Sequence, residues 1–189
     1  MHVSTRRPVP VLTAVDIGAL AEETLRVQAA ALGLAPRALD DRVPERRARG
    51  ACGLTAIGAF HDGQLAGFTY GVPAHEPYPW REPVLHRLLA AGRRSWTGDA
   101  FYLCELHVLP DFQRQGLGTR LLTALCARAG EHRVILTTPA QPTPARRLYH
   151  RHGYRDLIDV PPYASDAAPY AIMGAELPLL PEAFRARAA

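Results

Sequence analysis

The sequence predicts an α/β (α+β) domain built on a mixed sheet, mostly antiparallel with one parallel β-α-β pair. Three stretches carry that expectation. Residues 54–72, LTAIGAFH-DG-QLAGFTYGV, are two β-rich runs around Asp62-Gly63, a strong hairpin signal. Residues 101–138 run from the apolar FYLCELHVL through a helical stripe to RVILTT, a strand-helix-strand unit whose strands must be parallel and whose crossover is right-handed. Two further β-rich runs, near 154–160 and 169–177, close the sheet on either side of PPYASDAAP.

The elements follow in chain order. Asp16 is placed to cap a helix whose apolar positions Ile17, Leu20, Ala21, Thr24, Val27 and Ala31 fall at helical spacing, with Gly33 ending it. A second, charged helix is expected over about 37–49. After the hairpin, residues 74–99 break the pattern with prolines, two tryptophans and a short helix around Pro83–Ala91, and so read as a lid-like insertion. Past FYLCELHVL, Leu117, Leu121, Leu122, Leu125 and Cys126 form one helical stripe, which Gly130 is expected to end. Thr143 as N-cap, Pro144 at the first helical position and Gly153 beyond the last turn delimit a short helix over 144–152, with Ala145, Leu148, Tyr149 and His152 inward. No repeat, linker or second boundary is visible, so residues 1–189 read as a single domain.

Composition excludes several classes. With 48% hydrophobic residues the chain can bury a sizeable core. MHVSTRRPVP has no apolar segment of signal-peptide length and no run of eighteen apolar residues occurs, so a soluble, cytoplasmic protein without membrane contact is expected. Cys52, Cys104 and Cys126 are odd in number, form no C-x-x-C pair and lie in or beside apolar runs; reduced core residues are expected, with no metal. The net charge is +4, yet all 22 basic residues are arginine, and the chain lacks both lysine and asparagine. That pattern reflects GC-rich codon usage, and the arginines are scattered among 18 acids without a continuous stripe, so no nucleic-acid partner is expected.

Between the strand and the helix of the β-α-β unit stands Gln113-Arg114-Gln115-Gly116-Leu117-Gly118. A glycine-rich turn there leaves the first helix amides unpaired and open to an anion, which the helix dipole also favours. Arg114 and Thr119 add a charge and a hydroxyl at the rim. A Walker loop needs a lysine the chain lacks, and a dinucleotide fingerprint needs a third glycine where Leu121 stands and an acid that RVILTTPAQ does not supply. This weakens a nicotinamide or flavin oxidoreductase. No G-x-S-x-G elbow exists, and Ser4, Ser95 and Ser165 lie outside strand-helix turns, which argues against a serine hydrolase.

The hexapeptide resembles the [QR]-x-x-G-x-[GA] pyrophosphate loop of the GNAT superfamily of N-acetyltransferases, and Val108-Leu109-Pro110 before it is similar to that family's V-x-P strand end. Ala145 to Tyr154, ARRLYHRHGY, resembles the family's A-x-x-L-Y-x-x-x-G-[FY] segment. The resemblance covers the chain well from the hairpin to about residue 160 and hardly touches 74–99. It departs at Pro142, where the family often has a cofactor-contacting asparagine; Gln141 or Thr143 substitutes, or the contact is missing.

The resemblance implies a GNAT fold, with about six to seven strands and helices on both faces. It implies acetyl-coenzyme A as donor, its pyrophosphate on the amides from Arg114 through Gln115, Gly116, Leu117 and Gly118 to Thr119, Gln113 in the same loop, and its pantetheine arm along His107, Val108 and Leu109. It implies direct attack by a primary amine of a small molecule or peptide, without an acyl-enzyme. An amine with a pKa of about 10 must first lose a proton. Strand alternation puts Leu103, Glu105, His107 and Leu109 on one face and Cys104, Leu106 and Val108 on the other. Glu105 is therefore the expected base, directly or through water, with His107 as its substitute; a structural pair is the alternative. The resemblance further implies the Val108 N–H as oxyanion donor and Tyr149 as the acid for the departing thiolate.

Other polar residues read more plainly. His150 and His152 lie about 200° apart on a helix and form no ligand pair. Arg146, Arg147 and Arg151 either reach the cofactor's phosphates or form a solvated face, and Glu22, Glu23, Glu76, Glu82 and Asp99 could draw in a cationic acceptor. Tyr78, Trp80, Glu82 and Trp96 furnish the insertion without selecting an acceptor, and the closing strands offer a route to a homodimer. The alternative to an enzyme is a non-catalytic acyl-CoA-binding regulatory or interaction module of the same fold.

Overall fold

In the computed structural model, which describes residues 8–50, 53–79, 81–160 and 169–179, a seven-stranded sheet organises the chain. Cys52, Trp80, Ser4, Ser165 and nearly all of the PPYASDAAP loop lie outside the described residues. The strands are β1 (Val11–Ala14), β2 (Thr55–His61), β3 (Gln64–Pro73), β4 (Phe101–Val108), β5 (Arg133–Pro139), β6 (Arg155–Val160) and β7 (Tyr170–Glu176). Their order is β1-β2-β3-β4-β5-β7-β6, and β4-β5 is the one parallel pair among them. The hairpin forms as expected, with Asp62 and Gly63 both at positive φ, 49° and 76°, as a two-residue turn between right-twisted strands requires.

The helices are α1 (Ala21–Ala31), α2 (Val43–Arg49), α3 (Arg81–Ala90), α4 (Leu117–Cys126) and α5 (Pro144–Arg151). Leu117, Leu121, Leu122 and Leu125 of α4 and Tyr149 of α5 bury against Leu103 and Val108 on one face of the sheet. On the other face Val27 of α1 packs with Phe68 and Tyr70, and Val84 and Leu88 of α3 pack with Tyr102 and Ile135. This is the expected arrangement, with helices on both faces.

Several local expectations change. β1 is a strand that the sequence pattern did not predict. Asp16 accepts from the amides of Gly18 and Ala19, so it opens a turn ahead of α1 instead of capping the helix itself. The charged helix expected over 37–49 becomes a 3-10 turn, Asp40–Arg42, followed by α2, because Pro44 belongs at a helix start. α4 ends at Cys126, four residues before Gly130, through the tight bonds Arg128 N–H to Leu125 and Ala129 N–H to Cys126. α5 keeps its expected caps: Thr143 Oγ1 accepts from the Arg146 amide at 3.0 Å, and Gly153 has φ 92°. Ala145 in its first turn is exposed, not inward.

The alternation expected along β4 fails at one residue. Tyr70 pairs with Glu105 and Gly71 with Leu103, so Cys104 is the extra residue of a β-bulge. Leu103 therefore joins Leu106 and Val108 on the α4 face, whereas Cys104 faces the opposite side together with Glu105, His107 and Leu109. Only Leu103 and Cys104 change sides; Glu105, His107 and Leu109 on one face and Leu106 and Val108 on the other keep the expected pattern.

Candidate active site

The bulge lies where β4 leaves β5. Their pairing is limited to Phe101 with Val134 and Tyr102 with Ile135; beyond it the strands part, bridged by Tyr102 Oη and Thr137 Oγ1 at 3.2 Å. The amide of Leu109 donates to Ala66 of β3, so the alternation of an antiparallel ladder turns the N–H of Val108 away from β3 and into that gap. The carbonyl of Val108 is taken by Gln113 Nε2 at 2.9 Å, which anchors the following loop to the strand end.

That loop runs through a 3-10 turn, Pro110–Phe112, into Gly116, the N-cap of α4. Arg114 and Gly116 both have positive φ, 56° and 82°, and Gln115 Nε2 donates to the Asp111 carbonyl. No side chain caps α4, and Arg120 is the first residue of the helix to bond back, to Gly116 at 3.1 Å. The amides of Leu117, Gly118 and Thr119 are left for an external acceptor, at the positive end of the helix dipole. A Cβ on Gly118 would meet Leu148 at 3.4 Å, ordinary contact, so that glycine keeps the approach to the backbone open without being required by packing. These features fit a diphosphate at the helix start and an extended arm along the free side of β4.

Glu105 sits at the centre of a buried polar cluster that the sequence reading missed. Arg46 of α2, 3% exposed, donates through Nη2 to both carboxylate oxygens at 3.0 and 2.9 Å and to Gln28 of α1 at 2.8 Å. Tyr70 Oη donates to Glu105 Oε1 at 2.8 Å, and the hydroxyl of Thr69 donates to the Glu105 carbonyl at the bulge. Arg49 reaches Tyr70 and Tyr78, and its Nη1 lies 3.9 Å from the carboxylate. His107 Nε2 is 3.6 Å from Glu105 Oε2, an ion-pair contact too long for a hydrogen bond. Burial alone would push the Glu105 carboxyl up; His107, Arg46 and the Tyr70 hydroxyl outweigh it and hold the group down at about 2.

The signal that could have found Arg46 and Arg49 is their i, i+3 spacing, which gives α2 one face of two arginines. A charged helix, however, reads as solvated unless its partner is known, and that partner is 59 residues away.

Tyr149 is buried, with its ring 5.4 Å from that of Tyr154 and no hydrogen bond from its hydroxyl to any described residue. Burial, and next the Cys126 thiol, push its hydroxyl up, so it stays protonated. Burial also pushes the Cys104 thiol up, which removes it as a nucleophile. Arg146 is committed to Asp156 at 2.8 Å and to the Ala140 carbonyl, so it is not a phosphate ligand in waiting. The acids expected to draw in a cationic acceptor are individually paired: Glu22 with Arg47, Glu23 with Arg26, Glu76 with His75, Glu82 with Arg81 and Asp99 with His132.

The decisive comparison is with protein families, where residues 24–154 match the Acetyltransferase (GNAT) family. The chain belongs to the GNAT family. The family's acyl donor is acetyl-coenzyme A. A GCN5-like protein acetyltransferase of Mycobacterium tuberculosis is 34% identical over 135 residues, which span 67% of this GNAT chain and 65% of that relative, just under two thirds of its length. Among solved structures, the ribosomal-protein-S18-alanine N-acetyltransferase of Escherichia coli superposes with a TM-score of 0.58 at 19% identity, covering 92% of this chain and 97% of that one. A Salmonella typhimurium protein solved with its cofactor acetyl-CoA gives 0.62 at 18% identity, covering 90% and 95%. At these identities the structural matches establish the GNAT fold. Among the described residues no helix is long and apolar enough to cross a membrane.

Proposed function

We propose that this GNAT protein transfers the acetyl group of acetyl-coenzyme A to a primary amine of a small molecule or peptide by direct attack. The observation that carries the reading is one continuous track: uncapped amides at the start of α4, Val108 directing its N–H into the gap, and Glu105 and His107 on the face beside it. Bound there, acetyl-coenzyme A supplies an activated thioester. The amides from Arg114 to Thr119, with Gln113 bracing the loop, hold the diphosphate, while His107, Val108 and Leu109 align the pantetheine arm. The Val108 N–H meets the charge that develops on the thioester oxygen.

The roles of Glu105 and His107 exchange relative to the sequence expectation. A carboxylate at about 2, already engaged by Arg46 and Tyr70, accepts an ammonium proton poorly near neutrality. An imidazole is suited to that transfer, so His107 takes the proton, and Glu105 balances the imidazolium from 3.6 Å. Tyr149 donates to the departing thiolate from its buried hydroxyl.

Thiol release from acetyl-CoA across a broad panel of amines tests this reading. Release is expected with at least one amine, with kcat falling about a hundredfold in Tyr149→Phe and His107→Gln. Calorimetric binding of acetyl-CoA without release from any amine would replace the enzyme with a binding module.

A further inference from the structure

We infer that Thr69 is a positioning residue for the transfer, its buried hydroxyl locking the β-bulge that aims Glu105 and His107 and parts β4 from β5. The inference rests on the acetyltransfer reading and deepens it. The bulge is where β3 and β4 fall out of step: Tyr70 pairs with Glu105, Gly71 pairs with Leu103, and Cys104 is left over. Nothing in the β4 sequence alone asks for this. A regular alternation is open to FYLCELHVL, in which Gly71 would face Cys104 and β4 would keep its line beside β5. Contacts from outside the strand therefore decide between the straight and the bulged form.

Two devices on β3 flank the bulge. On one side the Thr69 hydroxyl donates to the Glu105 carbonyl at 2.8 Å. On the other, Gly71 carries no side chain at a point where a Cβ would come within 2.6 Å of the Tyr102 carbonyl oxygen. Gly71 permits the close approach, and Thr69 supplies the attraction. Thr69 is fully buried, so solvent cannot take over the bond when the hydroxyl is removed.

The neighbours of Thr69 show what that bond serves. Phe68 and Tyr70 lie on the face of the two polar groups: the Phe68 ring sits 5.5 Å from the His107 ring, and Tyr70 Oη bonds the Glu105 carboxylate. Thr69 alternates to the α4 face, so it grips Glu105 by the main chain while Tyr70 and Arg46 grip its side chain. Cys104 also stands two residues past Tyr102, whose pairing with Ile135 is the last before β4 and β5 part. A bulged strand bends and twists more than a straight one. Without the lock β4 relaxes toward β5, which narrows the gap that receives the arm and turns the Val108 N–H, Glu105 and His107 together.

The test compares Thr69→Val, which exchanges the hydroxyl for a methyl of similar size, with Thr69→Ser, which keeps it. Thr24→Val is the control for lost stability, because Thr24 is equally buried and its hydroxyl donates to the Ala21 carbonyl at 3.0 Å within α1, away from the bulge. Thiol release with the best amine of the panel and calorimetry with acetyl-CoA are run on all four proteins. In Thr69→Val, kcat is expected to fall at least tenfold and acetyl-CoA to bind at least threefold more weakly, while Thr69→Ser stays within about threefold of wild type and Thr24→Val within about twofold. Thr69→Ala, which loses the same bond, stands in if Thr69→Val does not fold. Equal losses in Thr69→Val and Thr24→Val, an equal loss in Thr69→Ser, or a fully active Thr69→Val overturns the assignment. Should wild type acetylate no amine, the transfer reading fails and calorimetry decides the lock: weaker acetyl-CoA binding in Thr69→Val than in Thr24→Val upholds it, equal binding refutes it. A wild type that binds no acetyl-CoA overturns both.

Discussion

Replacing Arg46 with methionine isolates the interaction on which the polar centre depends. Methionine fills most of the stem's volume, so the change removes mainly the charge and its hydrogen bonds. Glu105, whose side chain is 12% exposed, would lose both bonds from Arg46 Nη2 but keep the Tyr70 hydroxyl at 2.8 Å and Arg49 at 3.9 Å. Gln28 Oε1 would lose its donor as well. Breaking a buried pair costs roughly 3–5 kcal/mol, and the remaining partners place this one near the lower end, about 3 kcal/mol at pH 7. For a chain of this size that is a fall in Tm of roughly 6–12 °C. The pH dependence gives an independent check. Glu105 is depressed in the folded state, so its contribution is complete above the unfolded glutamate value and is lost as pH falls toward about 2. Between pH 7 and pH 3 wild type should therefore lose roughly 2 kcal/mol of this stabilisation, and the gap to Arg46→Met should narrow by part of that amount, because His107 and the Tyr70 hydroxyl still hold the carboxylate down in the variant. Urea unfolding at both pH values measures it. A difference under about 1 kcal/mol at pH 7, or one unchanged at pH 3, would show that the Arg46 contacts do not hold the carboxylate as argued.

Three further outcomes follow from local geometry. Gly116→Ala meets no atom within 4 Å, so its cost is backbone strain at φ 82°, about 1–2 kcal/mol by denaturant unfolding, and acetyl-CoA should bind at least tenfold more weakly by calorimetry. Thr143→Ala removes the bond to the Arg146 amide and should cost about 1 kcal/mol, read as a shift in urea midpoint without a change in slope. Tyr149→Phe removes a hydroxyl with no hydrogen-bond partner among the described residues, so its stability should stay within about 1 kcal/mol of wild type while thiol release collapses; a large loss of stability would mean the hydroxyl is structural.

What was legible in the sequence was local or periodic. Asp62-Gly63 specifies its hairpin because the turn demands positive φ at both positions, and Thr143, Pro144 and Gly153 delimit α5 through bonds made within a few residues. Gln113 to Thr119 announced an anion site because strand, glycine turn and helix start are consecutive in the chain. Glu105 and His107 were found because a period of two survives over three residues.

The rest required the chain to meet itself. A bulge is set by the register of β3 on β4, so no property of FYLCELHVL alone shows that Cys104 is the extra residue or that Leu103 turns to the α4 face. Nor could the sequence say which charges cancel. Arg46 reads as one more arginine on a polar helix, and only the packing of α2 on the sheet brings it against Glu105, 59 residues later, where it helps hold the carboxyl low. Residues 74–99 changed meaning for the same reason, since Val84, Leu88 and Trp96 become core only when a sheet face lies beneath them. Short-range hydrogen bonding and strand period are written into adjacent residues, whereas burial and electrostatic pairing depend on neighbours that only tertiary contact supplies.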